Sequence, residues 1–173
     1  IAEHTPKPII LYNIPSRTGC NMLPETVARI ADSCPNVTGI KEASGNISQV
    51  AKLASLVGDR LDIYSGNDDQ IVPVMSLGGT GVISVLANLL PKNIHDITKE
   101  MLNGNYITAK SAQLAYEKLI EKLFAEVNPI PVKAALHMMG MDVGPVRLPL
   151  TELEETHKIE LKRAMSEAGI RSL

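Results

Sequence analysis

Between residues 9 and 85 short aliphatic runs alternate with amphipathic helical patterns, and that alternation leaves few folds open. The runs are Ile9 to Tyr12, Val37 to Lys41, Leu61 to Tyr64 and Gly81 to Val85. They start at positions 9, 37, 61 and 81, so the spacings are 28, 24 and 20 residues. Each spacing is close to one βα unit. A helix between consecutive strands returns the chain to the end it left, which makes the strands pair in parallel. The expected architecture is therefore either a part of a (β/α)8 barrel or an open doubly wound sheet. No GxGxxG or GxxxxGK[ST] follows any of the four runs, which removes the best support for the nucleotide-binding versions.

The helices between the runs carry their own signals. Leu23-Pro24-Glu25 opens one with a proline in the first turn and an acid near its positive end, and Val27, Ile30 and Ala31 supply an apolar face. A second is expected from Ile47 to Val57 with Val50, Leu53, Ala54 and Val57 on one side, and a third from Gln70 to Leu77. Beyond Leu90-Pro91 the aliphatic runs stop. A helix from Asn93 to Leu102 is followed by an expected long one from Tyr106 to Val127, with Leu114, Leu119, Leu123 and Phe124 among its apolar residues. A short helix from Val132 to Met139 and a last one from Thr151 to Ala168 complete the chain, the latter with Thr151 and Glu154 placed as a capping box. The chain is thus read as βα units over residues 1–104 and a helical domain over 105–173. Ile1 to His4 reads as the tail of a helix already under way and there is no initiator Met, so a fragment or a processed chain is expected.

Composition excludes several functions. With 173 residues, a formal net charge of -2 and 45% hydrophobic residues, the chain has the make-up of an ordinary globular protein. Its Lys and Arg residues are spread out, without the basic clusters and interleaved aromatics that nucleic acid would call for. The longest apolar runs fall short of the roughly 20 residues of a membrane span, so neither nucleic acid nor membrane is an expected partner. Cys20 and Cys34 lack CxxC spacing, and the four histidines match no metal motif. A reducing, cytoplasmic setting and no metal are the expectations.

Two strand ends hold the candidate chemistry. Ile9-Ile10-Leu11-Tyr12 leads into the turn Asn13-Ile14-Pro15-Ser16-Arg17-Thr18-Gly19, and Val37-Thr38-Gly39-Ile40 ends in Lys41. A lysine there is commonly a solvated strand end. Its company points further, because neighbouring strands lie about 4.8 Å apart and the carboxyl ends of parallel strands are where α/β folds place their sites. A lysine among aliphatic neighbours loses hydration of its charged form, and a neutral amine facing a ketone makes a Schiff base. Tyr12 would move protons to and from the carbinolamine, and Arg17 offers a bidentate fork to a carboxylate. Glu42, one residue on, turns to the opposite face and is read as structural.

The ordered motifs ILYNIPSRTG, GIKEASG, SGNDD, GVISVLAN, NPIPVKAAL and RLPLT resemble the carboxyl-terminal half of the dihydrodipicolinate synthase (4-hydroxy-tetrahydrodipicolinate synthase) family, over essentially the whole chain. The resemblance implies the second half of a (β/α)8 TIM barrel followed by a helical domain. It also implies condensation of pyruvate with L-aspartate-4-semialdehyde to 4-hydroxy-tetrahydrodipicolinate in diaminopimelate and lysine biosynthesis, by a homotetramer. On that basis Lys41 matches the Schiff-base lysine, Tyr12 the relay tyrosine, Arg17 the arginine at the substrate carboxylate, and Ile83 a residue whose backbone contacts pyruvate. No cofactor is implied beyond the covalent adduct. Related pyruvate aldolases such as N-acetylneuraminate lyase share the YNIP and GIK elements but generally lack that arginine, which favours the synthase. A non-catalytic half-barrel binding module or a truncated inactive fragment is the alternative of a different class.

The same resemblance implies a threonine pair, a second relay tyrosine and most of a lysine feedback site in a half of the barrel that is not in this chain. A half-barrel alone would expose inward-facing side chains such as Ile9, Leu11, Ile40 and Val82, or their neighbours. The chain is therefore expected to be part of a larger enzyme.

Overall fold

The computed structural model describes residues 1–172. They sort into two compact units, the first formed by Ile1–Ser84 and Thr98–Tyr106, the second by Val85–Ile97 and the described residues from Ile107 on.

The first unit is α/β. Its strands are β1 (Ile9–Asn13), β2 (Val37–Glu42), β3 (Asp62–Ser65) and β4 (Gly81–Val82), and between them lie α1 (Pro15–Thr18), α2 (Pro24–Ser33), α3 (Ile47–Val57) and α4 (Ile71–Ser76). All neighbouring strands pair in parallel, in the order β1-β2-β3-β4. Pro24 sits in the first turn of α2, where its missing N–H costs nothing. Asn46 caps α3 by accepting from the Gln49 N–H at 3.1 Å. Val27 from α2, Val50, Leu53 and Val57 from α3, and Ile40 and Ile63 from the sheet close into one apolar core. Two exposed ion pairs, Lys52 with Glu25 and Arg60 with Asp32, join α2 to α3 and to the turn that follows it, where such pairs add little.

The core decides which face of the sheet is covered. Ile40 and Ile63 lie fully buried on the helix side, and Ile9 and Leu11 pack against the same core. Side chains alternate without a break along β1, while opposite Ile9 and Ile10 the register skips Thr38, an extra residue that re-aims the start of β2. The exposure expected for inward-facing residues consequently falls on the neighbours, Ile10, Tyr12 and Ile83.

Several elements differ from their sequence reading. The opening residues Ala2–His4 form a 3-10 turn. The fourth strand stops at Val82 because β3 offers only Tyr64 and Ser65 as partners, and residues 86–88 already turn as a 3-10 helix. The third helix, expected from Gln70 to Leu77, is α4, and a 3-10 turn over Asp68–Gln70 precedes it.

In the second unit the long helix expected from Tyr106 to Val127 is two, α6 (Tyr106–Ala115) and α7 (Glu117–Leu123), α5 (Pro91–Leu102) being shared between the units. The break falls at Tyr116, whose N–H reaches back only to Gln113 O and whose hydroxyl accepts from Asn93 Nδ2 at 2.6 Å. It resets the helical phase, so Leu119, Ile120 and Leu123 are buried while Leu114 and Phe124, expected on the apolar side, are exposed. The last two helices are α8 (Ile130–Met138) and α9 (Glu155–Glu167), and α9 packs on α7 and α8 through Leu161, Ala164 and Met165. The capping box does not form. The N-cap of α9 is Glu154, and its own backbone N–H is taken by Glu126 Oε1 at 3.0 Å. Among the described residues no helix is long and apolar enough to cross a membrane.

Candidate active site

The four strands end in step. Tyr12, Lys41, Tyr64 and Gly81 are each the last residue but one of their strand, and the register sets them side by side across the sheet. The row faces the side that the helices leave open: Tyr12 is 46% exposed, and Lys41 and Tyr64 are half-buried. The final residues Asn13, Glu42 and Ser65 point the other way and are buried. Period-2 alternation thus separates a row available to a ligand from a row that anchors it.

Within the open row, Lys41 Nζ stands 4.4 Å from the centroid of the Tyr12 ring. That is cation–π range, and the contact holds the lysine nitrogen over the phenol ring. Gly66 makes room for the lysine stem. A Cβ there would lie 3.1 Å from Lys41 Cε and 2.6 Å from Ala43 Cβ, while the Gly66 N–H donates to Glu42 O at 2.7 Å. Glu42 does not neutralise Lys41. Its carboxylate accepts from Asn13 Nδ2 at 2.9 Å and from the Ser44 N–H at 2.6 Å on the helix side.

The structure therefore brings Tyr12 and Lys41 together. Arg17 lies in the last turn of α1, exposed, on the loop that leaves β1 immediately after Tyr12 and Asn13. Ile83 follows β4 directly, and its N–H donates to Ser65 O at 2.9 Å. Sequence reasoning placed Glu42 on the opposite face but missed Tyr64, Gly66 and the partners that Glu42 finds behind the row. Tyr64 ends an aliphatic run just as Tyr12 does and that was readable; that it flanks Lys41 required the register. An amine, a phenol and, on the following loop, a guanidinium at the mouth of parallel strands form a set able to attack a carbonyl, move its protons and hold a carboxylate.

The second unit holds two other features. A cavity of about 600 Å³ has an apolar wall from Ile130, Ala134, Met138, Val146, Leu148 and Leu153. Nearby in the same unit Glu126, Glu154 and His157 bring their ligand-type atoms within 4.8 Å of one another. His157 Nδ1 meets Glu126 Oε1 at 2.7 Å, and this bond holds the Glu126 carboxyl below the usual carboxylate range and raises His157 above the ordinary imidazole value. The bonds within the group, that pair and the Glu154 N–H to Glu126, account for its closeness.

Comparison with known proteins gives one consistent answer. Residues 1–168 match the Dihydrodipicolinate synthetase family. The 4-hydroxy-tetrahydrodipicolinate synthase of Caldicellulosiruptor saccharolyticus is 58% identical over 163 residues, covering 94% of this chain and 55% of that protein. The solved dihydrodipicolinate synthase of Thermotoga maritima superposes with a TM-score of 0.95 at 41% identity, over 98% of this chain and 58% of that one. A chloride-inhibited synthase from Acinetobacter baumannii, solved in complex with pyruvate, superposes at 0.93 with 40% identity, over 98% and 58%. The chain spans a little over half the length of each of these relatives.

Proposed function

Because the chain belongs to the dihydrodipicolinate synthetase family, we propose that the polypeptide carrying it condenses pyruvate with L-aspartate-4-semialdehyde through a Schiff base on Lys41, yielding 4-hydroxy-tetrahydrodipicolinate. The observation that carries this reading is the pairing of Lys41 with Tyr12 on adjacent parallel strands, with the lysine nitrogen 4.4 Å from the ring centroid.

The chemistry needs each member of the set. The neutral Lys41 amine adds to the keto carbon of pyruvate. A proton delivered through Tyr12 lets the carbinolamine hydroxyl leave as water. The iminium draws electrons from the adjacent methyl, which loses a proton and becomes the enamine carbon that attacks the aldehyde, while the aldehyde oxygen takes up a proton. The amino group of the second substrate then adds to the iminium carbon and expels Lys41, closing the ring, so that one water is released overall. Arg17 grips a substrate carboxylate and the Ile83 backbone meets the pyruvyl group. The electron sink is the iminium itself, so the reaction asks for no metal and no further cofactor.

The four βα units are read as the second half of a (β/α)8 barrel over residues 1–104, with 105–173 as its helical domain; the last residue of that range, Leu173, lies outside the described ones. A barrel of this kind takes about 250 residues, in keeping with a chain that spans a little over half of its relatives. A cytoplasmic homotetramer is the proposed working form. The test is steady-state turnover by the complete polypeptide. Pyruvate and aspartate semialdehyde should be consumed together, and Lys41→Ala should abolish the reaction. Turnover that survives Lys41→Ala, or a wild type that instead cleaves N-acetylneuraminate, contradicts the proposal.

A further inference from the structure

Behind the reactive row lies a polar cluster that the proposed chemistry does not touch. Asn13 and Glu42 are 2% and 3% exposed, and Gln49, in the first turn of α3, is 9% exposed. Asn13 Nδ2 donates to Glu42 Oε2 and to Asn21 Oδ1, both at 2.9 Å, and its Oδ1 accepts from the Met22 N–H at 2.8 Å. Glu42 Oε1 accepts from the Ser44 N–H at 2.6 Å. Gln49 Nε2 donates to Asn21 Oδ1 at 3.1 Å and to Glu42 Oε2 at 3.4 Å, while Asn21 Nδ2 donates to Gln49 Oε1 at 2.8 Å. The Ala43 N–H closes the set onto Asn13 O at 2.9 Å.

A buried carboxylate that makes no ion pair among the described residues is an expensive way to fill a core that apolar side chains fill more cheaply. Here every carboxamide and carboxylate atom of Asn13, Glu42 and Gln49 is engaged, and such a fully satisfied network specifies one arrangement of its members. What it arranges is specific. Asn13 directly follows Tyr12, and Glu42 directly follows Lys41. Because successive strand side chains point to opposite faces, pinning Asn13 to Glu42 on one face fixes the relative setting of Tyr12 and Lys41 on the other. The loop carrying Arg17 leaves from Asn13 and returns through Asn21 and Met22, so the same cluster clamps both ends of that loop.

We infer that Asn13, Glu42 and Gln49, extended by Asn21, are positioning residues: they hold the Schiff-base lysine and its tyrosine in reacting register and set the base of the Arg17 loop. The inference rests on the function proposed above.

The experiment uses the complete polypeptide, pyruvate and borohydride, with steady-state kinetics alongside. Glu42→Gln leaves one carboxamide nitrogen facing a donor. It should slow both kcat and the formation of the trappable adduct on Lys41 by about 10- to 100-fold, the scale of a small misplacement of reacting groups. Asn21→Ala cuts the loop from the cluster at its exposed margin. It should raise KM for a carboxylate substrate severalfold, by a larger factor than it lowers kcat. Val57→Ala, at the core-facing end of α3 and outside the cluster, is the stability control and should lower Tm with kcat unchanged. A Glu42→Gln enzyme that loses Tm as Val57→Ala does, yet traps pyruvate at the wild-type rate, overturns the inference and leaves the proposed function standing. If Glu42→Gln does not fold, Asn21→Ala decides: the KM split supports positioning, and an unchanged KM overturns it. A wild type that traps no pyruvate on Lys41 removes the proposed function, and the inference with it.

Discussion

The stem of Lys41 owes its room to a residue with no side chain. A methyl at Gly66 would sit 2.6 Å from Ala43 Cβ and 3.1 Å from Lys41 Cε, so Gly66→Ala is expected to cost about 1–3 kcal/mol of stability and to slow adduct formation, as read by denaturant unfolding and borohydride trapping. Unchanged values for both would show that the lysine has space to spare. Arg17 is the opposite case. It is exposed on α1, so Arg17→Ala should raise KM for a carboxylate substrate and leave Tm where it was. His157 provides a test in the second unit. Its bond to Glu126 raises its pKa, so the pair's contribution is complete below the unfolded imidazole value of about 6.5 and fades as pH rises through the higher folded value. Glu126 is held low by the same bond, so on the acid side the contribution is complete above the unfolded carboxylate value and is lost as pH falls through the lowered one. A proton NMR titration should place the His157 inflection above that of a free histidine, and Glu126→Gln should bring it back down. At this scale Lys41 and Tyr12 were legible because each ends an aliphatic run, and side-chain type plus strand position carries that signal. The His157–Glu126 contact spans 31 residues, and no spacing rule reaches that far.

Elements were legible where a single period governs them. α2 and α3 follow their apolar spacing and their Pro24 and Asn46 starts, and the core they form predicts its own sensitivity. Leu53 is almost fully buried there, so Leu53→Ala should destabilise by about 2–5 kcal/mol; a loss under 1 kcal/mol in equilibrium unfolding would contradict the packing described. Elements were misread where tertiary bonds overrode the local pattern. Thr151 and Glu154 have the spacing of a capping box, yet Glu126 takes the Glu154 N–H and the helix begins later. The apolar run from Tyr106 onward satisfies one long helix until Tyr116 turns its hydroxyl to Asn93. Val82 ends β4 because β3 has no further residue to pair with, a limit set by the neighbouring strand.

For the molecule as a whole, the four-stranded sheet runs from β1 to β4 without closing on itself, and its open face carries Ile10, Tyr12 and Ile83. Parallel strands with free edges are templates for further pairing. The isolated chain of 173 residues should therefore fail to turn over pyruvate and aspartate semialdehyde and should self-associate with rising concentration in sedimentation velocity runs; a monomeric, active chain would mean that four βα units suffice for the chemistry. Parallel alternation was readable from the spacing of aliphatic runs, whereas strand order stayed open between a barrel and a doubly wound sheet, and the extra residue Thr38 in β2 leaves no mark in composition. The central claim is that Lys41 is the nucleophile toward a keto acid. Peptide mass spectrometry of the complete polypeptide, reduced with borohydride in the presence of pyruvate, tests it most directly. The account predicts a reduced pyruvyl group on Lys41 that is absent without pyruvate, and a label on any other lysine, or on none, would contradict it.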